Sequence, residues 1–319
     1  MLFNCKVTVF FPAFRNKARL CLSVNGLSDK FASVKTLSVM TYTELWRQLA
    51  PAVGEGEAKA IVRALLDDLF GMSLTDIVCG GVEHLGTADE ERLFGAMQRL
   101  RDGEPLQYVT GSAPFMGRTF HVESGVLIPR PETERLCQMA IEAAKETASP
   151  AVLDIGTGSG CIATTIALEL PGAKVEAWDI SPRALLIASG NARRLGATVA
   201  FRQQDALHAP ADDSLFDVIV SNPPYICQRE AAGMERNVLE HEPPEALFVP
   251  DDDPLLFYRA IARYAAHALR PGGSLLFEIN SLYARQTEEL LAQEGFKEIS
   301  TERDIFGKER DVKGKRIKR

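Results

Sequence analysis

The sequence lacks the features that mark membrane, disulfide-rich and zinc-binding proteins. No apolar stretch approaches the roughly 20 residues that a membrane-spanning helix needs. The six cysteines are scattered and form no C-x-x-C pair, which favours reduced thiols in a cytoplasmic protein over a disulfide framework or a zinc site. Internal repeats and low-complexity tracts are also missing. We therefore predict a cytoplasmic globular protein without a metal site.

An excess of positive charge is missing as well. The chain carries 43 acidic and 36 basic residues, which gives a net charge of −7. Enzymes that act on DNA or RNA usually present a basic face, so this balance argues against a nucleic-acid substrate. With 319 residues and a hydrophobic content of 46%, the chain is long enough and apolar enough for two domains.

The first 39 residues differ in composition from the rest of the chain. They contain six basic residues and one acidic residue, and their apolar residues precede the basic ones. That order is the reverse of a secretory signal, and no small-residue cleavage site is apparent. We predict that residues 1–39 are a disordered extension and that Met40 is the working start.

Residues 40–105 are predicted to form a small helical bundle. The spacing of Thr41 and Glu44 is that of a capping box, which opens a helix. Apolar residues recur at steps of three and four between 57 and 70, so they mark one buried helical face. A second capping box is predicted at Thr87, before another helix.

Residues 106–130 change period and contain glycine and proline breaks. Segments 106–110 and 119–128 read as extended, with Gly111, Pro114 and Gly117 between them. The pattern predicts a β-hairpin linker between two domains.

Residues 131–319 alternate between strand-like and helical patterns, which predicts a mostly parallel sheet covered by helices on both faces. Two final segments, 296–304 and 310–315, predict an antiparallel hairpin that completes a seven-stranded, Rossmann-like α/β fold. The other predicted strands are 151–155, 174–179, 198–203, 216–221 and 274–279, and the predicted helices lie near 160–170, 182–195, 254–269 and 282–294.

A glycine-rich loop, Gly156-Thr157-Gly158-Ser159-Gly160, follows the first of these strands. Glycines let the backbone turn sharply and approach a ligand closely, although tight strand–helix packing is an alternative explanation. The third glycine of the dinucleotide fingerprint is missing because Cys161 takes its place, which favours S-adenosylmethionine over NAD. Asp179, at the end of the second strand, suits ribose hydroxyls, and Asp205 after the third strand suits an adenine.

A proline-stiffened corner, Asn222-Pro223-Pro224-Tyr225, follows the strand at 216–221. Two consecutive prolines cannot continue a sheet, so the chain must turn rigidly at the edge where α/β proteins bind ligands. The Asn222 side-chain oxygen and the Pro223 carbonyl can each accept an N–H, and Tyr225 can pack on a planar group. The corner is therefore predicted to hold a weakly nucleophilic amide or amine nitrogen, although it could also be a plain turn beside a core aromatic residue.

Three longer runs accompany these motifs. They are GEPLQY at 103–108, VLIPRPETE at 126–134 and EPPEAL at 242–247. Together with the glycine loop and the corner, they make residues 41–319 similar to the peptide chain release factor glutamine methyltransferases, the HemK/PrmC family. DNA adenine and RNA guanine enzymes share the Asn-Pro-Pro-Tyr signature, but the run at 126–134 is far more restrictive and decides the family.

The resemblance implies a class I S-adenosylmethionine-dependent methyltransferase fold. In it, residues 40–105 would be a helical substrate-docking domain, 106–130 the hairpin linker and 131–319 the methyltransferase domain. It also implies methyl transfer to the side-chain amide nitrogen of the glutamine in the Gly-Gly-Gln motif of release factors. We expect a monomer with no membrane partner.

The resemblance also carries site roles over by motif. Two positions depart from the family pattern: relatives often have a bulky aromatic residue at Ala206, and Glu-Ile-Gly is more frequent than Glu-Ile-Asn at Asn280. The implied cofactor-binding residues are Gly156, Thr157, Gly158, Ser159, Gly160, Asp179, Asp205, Ala206 and Asn222. The implied catalytic residues, which also grip the glutamine, are Asn222, Pro223, Pro224 and Tyr225, with Phe115 and Arg130 lining the substrate cleft.

Three other functions remain as alternatives. A DNA or RNA base amino-methyltransferase would share the corner, but the acidic chain and small bundle offer little for a nucleic acid. A non-catalytic module would have little reason to keep both the glycine loop and the corner. An NAD-dependent dehydrogenase is disfavoured by the missing third glycine.

Overall fold

The computed structural model describes residues 40–304 and 307–317. The chain divides after Asp102 into two compact units. The extension predicted at residues 1–39 lies outside the described residues. In the part of the chain that is described, no helix has the length and apolar character needed to cross a bilayer.

The first unit is helical across its described residues. At the start of its first helix, the Thr41 hydroxyl accepts from the Glu44 backbone at 3.2 Å and the Glu44 carboxylate accepts from the Thr41 backbone at 2.8 Å, which confirms the first capping box. The second is wrong: Gly86 is the N-cap, and its carbonyl accepts from the Glu90 N–H, so Thr87 already lies inside the helix. The helices are α1 (Tyr42–Val53), α2 (Glu55–Phe70), α3 (Leu74–Val78) and α4 (Thr87–Arg101).

The second unit is an α/β domain built on a seven-stranded sheet. The strand order is β10-β11-β9-β6-β3-β4-β5; β11 runs antiparallel to both of its neighbours, and the other pairs are parallel. The predicted parallel sheet and terminal hairpin are therefore confirmed. The sheet strands are β3 (Ala151–Ile155), β4 (Lys174–Asp179), β5 (Ala200–Gln203), β6 (Phe216–Ser221), β9 (Leu269–Glu278), β10 (Phe296–Arg303) and β11 (Glu309–Arg316).

Helices cover both faces of this sheet because alternate strand residues point to opposite sides. Leu153 and Ile155 pack in one core with α11 and α12, whereas Val152 packs in a second core with α6 and α7. The helices of this unit are α5 (Leu106–Thr110), α6 (Thr133–Ala144), α7 (Cys161–Glu169), α8 (Pro182–Leu195), α9 (Arg236–His241), α10 (Pro244–Leu247), α11 (Leu256–Ala268) and α12 (Ala284–Gln293). A small parallel pair, β7 (Ile226–Cys227) and β8 (Phe248–Val249), completes the unit.

Residues 106–130, which were predicted to link two domains, belong to the second unit and contain a hairpin that is shorter than predicted. Strands β1 (Ser112–Phe115) and β2 (Arg118–His121) pair through a two-residue turn at Met116 and Gly117, whose φ values of 49° and 70° suit a type I′ turn.

One extended segment predicted within residues 106–130 is wrong, and a second is confirmed only over its first three residues. Residues 106–110 form the helix α5, which Pro105 precedes and Gly111 ends in the left-handed conformation, so that Tyr108 and Val109 are buried. The strand predicted at 119–128 stops at His121, because β1 offers no further residues with which to pair. The chain from Val122 to the start of α6 is irregular.

Candidate active site

Four loops that follow parallel strands meet at one edge of the sheet. Parallel strands place their carboxyl ends together, so Gly156 after β3, Asp179 at the end of β4, Asp205 after β5 and Asn222 after β6 become neighbours. They line a cavity of about 240 Å³. The four strand-end positions predicted from the sequence therefore share one site.

The Asp179 carboxylate joins the end of β4 to the glycine loop. One of its oxygens accepts from the Gly158 N–H at 2.8 Å, and the other accepts from the Ser181 N–H at 2.9 Å. Burial raises the pKa of Asp179 against the opposing effect of these backbone donors. Each oxygen keeps a further lone pair, so the carboxylate can still accept hydrogen bonds from a ligand in the cavity.

A second carboxylate, Asp154 in β3, lies buried beneath the loop. It accepts from the Thr157 hydroxyl at 2.6 Å and from the Ala163 N–H at 3.2 Å. Burial raises the pKa of Asp154 to about 7, although both hydrogen bonds oppose the shift. Thr157 is thus turned toward the protein interior, and only the backbone of this stretch of the loop faces a ligand.

The last two residues of the loop also face the protein. The Ser159 carbonyl accepts from the Asn191 side chain at 2.9 Å, and the Ser159 side chain is buried. Gly160 is the N-cap of α7, and a Cβ there would lie 2.8 Å from the Ala188 Cβ on α8. Close packing of two helices therefore explains this glycine. Of the five predicted loop residues, Gly156 and Gly158 line the cavity.

Asp205 caps a short 3-10 turn on the far side of the cavity. Its carboxylate accepts from the Leu207 N–H at 2.8 Å and lies 2.7 Å from the His208 ring nitrogen Nδ1. Partial burial acts to raise the pKa of Asp205. The hydrogen bonds with His208 and Leu207 outweigh that effect, so the pKa is lowered overall. Ala206 also lines the cavity.

Apolar cavity residues were missed by the sequence reasoning. Ile180 and Leu207 follow the two strand-end carboxylates and line the cavity, together with Phe257 from α11. Ile180 is 56% exposed, which is unusual for an isoleucine. The signal available in the sequence was a large apolar residue directly after Asp179 and two positions after Asp205.

The corner at Asn222 is held by a chain of hydrogen bonds. The Asn222 amide nitrogen donates to the Thr133 hydroxyl at 3.2 Å, and that hydroxyl donates to the Glu278 carboxylate at 2.6 Å. The Tyr225 hydroxyl donates to the other Glu278 oxygen at 3.0 Å. Burial raises the pKa of both Glu278 and Tyr225. The sequence assigned no role to Thr133 or Glu278, although Thr133 lies in the run at 126–134 that suggested the family.

A second cavity, of about 330 Å³, lies on the other side of Asn222. Asn222, Leu127 and Ala246 line both cavities, so Asn222 stands where they meet. Tyr225 and Glu278 line the second cavity. The arrangement has room for one ligand on each side of the Asn222 side chain.

Of the two residues predicted to line the substrate cleft, Arg130 lines a cavity and Phe115 does not. Arg130 lines the second cavity and forms an ion pair with the buried Glu242, whose second oxygen accepts from the Ile128 N–H at 3.2 Å. Phe115 is 1% exposed and packs edge to face on Phe120 with ring centroids 6.0 Å apart. Strand alternation turns Phe115 into the core beside α6, so it lines neither cavity and the expectation for it is corrected.

Comparison with known proteins gives matches along most of the chain. A PrmC N-terminal domain model matches residues 44–111, and a methyltransferase small domain model matches residues 131–244. A release factor glutamine methyltransferase of Bacteroides thetaiotaomicron is 45% identical over 255 residues, which make up 80% of this chain and 91% of that protein. The chain belongs to the release factor glutamine methyltransferase family.

A second relative and a solved structure are also similar to the chain. A release factor glutamine methyltransferase of Flavobacterium psychrophilum is 37% identical over 274 residues, covering 85% of this chain and 96% of its own. A T. thermophilus 16S rRNA methyltransferase, solved in complex with AdoMet and guanosine, has a TM-score of 0.47 and 22% identity over 64% of this chain and 49% of its own. The family match and the sheet topology confirm the class I methyltransferase fold and identify the chain as a methyltransferase.

The first cavity of this methyltransferase suits a positively charged cofactor that has no phosphate. Among the described residues, its lining includes three carboxylates, Asp179, Asp205 and Glu245, and no lysine or arginine. A dinucleotide pyrophosphate would bring negative charge toward those carboxylates, whereas a sulfonium and ribose hydroxyls would be complementary to them. The residues present therefore fit S-adenosylmethionine better than NAD.

Proposed function

We propose that this enzyme transfers a methyl group from S-adenosylmethionine to the side-chain amide nitrogen of the glutamine in the Gly-Gly-Gln motif of peptide chain release factors. The observation that carries the proposal is the position of Asn222 at the junction of the two cavities. Its side-chain oxygen accepts no hydrogen bond from any residue that the structure describes. That oxygen is therefore free to accept an N–H from a carboxamide in the second cavity.

The cofactor would lie in the first cavity. Asp179 would accept from the ribose hydroxyls, while Asp205 and Ala206 would contact the adenine between Ile180 and Leu207. The backbone of the glycine loop would contact the amino acid end of the cofactor. When bound, S-adenosylmethionine supplies an electrophilic methyl group on its sulfonium.

The corner would supply positioning. An amide nitrogen is a poor nucleophile because its lone pair is delocalised, so its orientation toward the methyl group matters most. The Asn222 oxygen and the Pro223 carbonyl would each accept one N–H, and Tyr225 would pack on the planar amide. Positioning of this kind contributes at most about 7–11 kcal/mol to lowering a barrier. The methylated amide cation is strongly acidic, so water can take its proton and no matched general base is required.

We also propose which residues bind the release factor and in which compartment the enzyme acts. Residues 40–105 would dock the release factor, 106–130 would link the domains, and 131–319 would carry out the transfer. The proposal is supported by the names of the relatives, which are release factor glutamine methyltransferases. The cysteines among the described residues form no disulfide, in keeping with the reducing environment of the cytoplasm.

Mass spectrometry of a release factor after incubation with enzyme and S-adenosylmethionine tests the proposal. We expect one added methyl group on the Gly-Gly-Gln glutamine, and none when that glutamine is replaced by glutamate. Asn222→Ala should bind the cofactor with an affinity within about threefold of wild type and lose most turnover, by about 100-fold or more if positioning dominates. A parallel assay with labelled cofactor and nucleic acid completes the test: label found only in nucleic acid would favour a base methyltransferase.

A further inference from the structure

We propose that Thr133 and Glu278 are positioning residues that determine which end of the Asn222 amide faces the substrate. The inference rests on the proposed function, because it concerns the acceptor that would hold the glutamine amide. A primary amide can be placed with its oxygen and nitrogen exchanged at almost the same shape, yet only one orientation offers an acceptor to a substrate N–H. Something in the protein must therefore select that orientation.

The selection follows from counting protons along the hydrogen-bond chain. The Glu278 side chain is 2% exposed, and as a carboxylate it can only accept. Thr133 has one hydroxyl proton and donates it to Glu278 at 2.6 Å. The Thr133 oxygen can then only accept from Asn222, at 3.2 Å, so it must face the nitrogen end of the amide. The Asn222 oxygen is left for the substrate.

The other Glu278 oxygen is also occupied. The Tyr225 hydroxyl donates to it at 3.0 Å, so Glu278 holds both side chains of the corner. Burial raises the pKa of Glu278, whereas the two hydroxyl donors and the nearby Arg310 cation oppose that rise and suit a carboxylate. As a carboxylate, Glu278 thereby fixes the direction of the hydrogen bonds that Thr133, Asn222 and Tyr225 make.

The Thr133 hydroxyl has no competing structural task at the start of its helix. The N-cap of α6 is Glu132, and no side chain makes a capping hydrogen bond there. Thr133 is 3% exposed, so its hydroxyl would be costly to bury without the two partners described. The sheet supplies the partner, because β6 and β9 are neighbours and pair Ser221 with Phe277, immediately before Asn222 and Glu278.

Three substitutions separate orientation from shape. Thr133→Val keeps the volume but loses the hydroxyl, and Thr133→Ser keeps the hydroxyl but loses the methyl group. Glu278→Gln replaces two acceptor oxygens with one acceptor and one N–H donor, so the side chain no longer requires Thr133 to donate, and the orientation of the Asn222 amide is no longer fixed. Thr165→Val is a matched control, since the Thr165 hydroxyl is buried and makes no hydrogen bond with any described residue.

The expected readout is a change in kcat without a matching change in KM. Thr133→Val should lower kcat for release factor methylation about tenfold, because one hydrogen bond between neutral groups is lost. The kcat of Thr133→Ser should stay within about threefold of wild type. Glu278→Gln should lower kcat about 100-fold, because the charged acceptor is lost and the order of donors and acceptors is no longer fixed. In these variants, KM for the release factor and the affinity for the cofactor should stay within about twofold of wild type, since docking and cofactor contacts are untouched. The kcat of the Thr165→Val control should also stay within about twofold of wild type.

A second measurement keeps the two proposals distinct. In protein labelled with ¹⁵N-asparagine, the Asn222 side-chain signals are those lost in Asn222→Ala. They should keep their shifts in Thr133→Ser and move in Thr133→Val and Glu278→Gln. Unmoved signals in the last two variants, or equal kcat losses for Thr133→Ser and Thr133→Val, would overturn the inference. If wild type methylates no release factor, the proposed function fails, and the side-chain signals alone decide the orientation.

Discussion

Replacing Asp311 with asparagine should stabilise the second unit at pH 8 and remove part of its pH dependence. Asp311 on β11 pairs with Glu278 on β9, is 1% exposed, and its Oδ1 has no hydrogen bond with any described residue. Burial, with the negative charge of Glu278 adding to it, raises the pKa of Asp311 from 3.8 to about 7. The folded protein therefore carries a carboxylate at pH 8 that is more stable in the unfolded chain.

Proton linkage gives the direction and the magnitude of this effect on the free energy of unfolding. Between about pH 4 and pH 7 the folded state holds a proton that the unfolded state has lost, so the free energy of unfolding falls as the pH rises. A rise in pKa from 3.8 to about 7 corresponds to about 4 kcal/mol once both states are ionised. A buried amide leaves an N–H without a partner, at a cost of about 1–3 kcal/mol. The expected net gain of Asp311→Asn at pH 8 is thus about 1–3 kcal/mol, with no gain near pH 4.

Urea unfolding between pH 5 and pH 8, followed by fluorescence, measures this difference. The buried Trp178 reports on the second unit once Trp46 in the first unit is changed to phenylalanine in all proteins compared. Asp252→Asn at an exposed position is the control, with an expected change within about 0.5 kcal/mol. The reasoning is refuted if Asp311→Asn and wild type differ by the same free energy at pH 5 and pH 8.

Three further predictions test packing and capping. Gly160→Ala should lower the free energy of unfolding of the second unit by about 2–4 kcal/mol, because φ is +78° and the new Cβ would clash with Ala188; calorimetry should show partial recovery with Ala188→Gly, and a wild-type Tm would contradict the packing role. Thr41→Ala should cost the first unit about 1 kcal/mol through loss of the capping box, seen in Trp46 fluorescence but not in that of Trp178. Glu242→Gln should weaken its contacts with Arg130 and Ile128, so amide exchange at Ile128 should speed up about tenfold, and unchanged exchange would remove Glu242 as the anchor.

Local patterns were enough to predict the sheet and the position of the site. The predicted bounds of β3, β4 and β6 agree with the structure, since buried parallel strands are short apolar runs with sharp ends. Once those ends are known, parallel topology brings the loops at Gly156, Asp179 and Asn222 to one edge. The site could therefore be located without knowing how any helix packs.

Local patterns were not enough where a residue's role depends on a partner far along the chain. Phe115 looked available for the cleft, but its strand turns it into the core against Phe120. Residues 106–110 looked extended, yet burial of Tyr108 and Val109 favours a helical turn there. Gly160 looked like a ligand contact, whereas a second helix occupies the space beside it.

The sequence by itself determined the order of strands and helices, the strand-end carboxylates and the rigid Asn-Pro-Pro-Tyr corner, because hydrophobic period, glycine and proline act over a few residues. Only the tertiary structure decided how that corner is held. Thr133 and Glu278 lie 145 positions apart and meet because α6, which begins at Thr133, packs against β6 and β9. A hydrogen bond of this kind depends on a fraction of an ångström, and packing of the whole domain sets that distance.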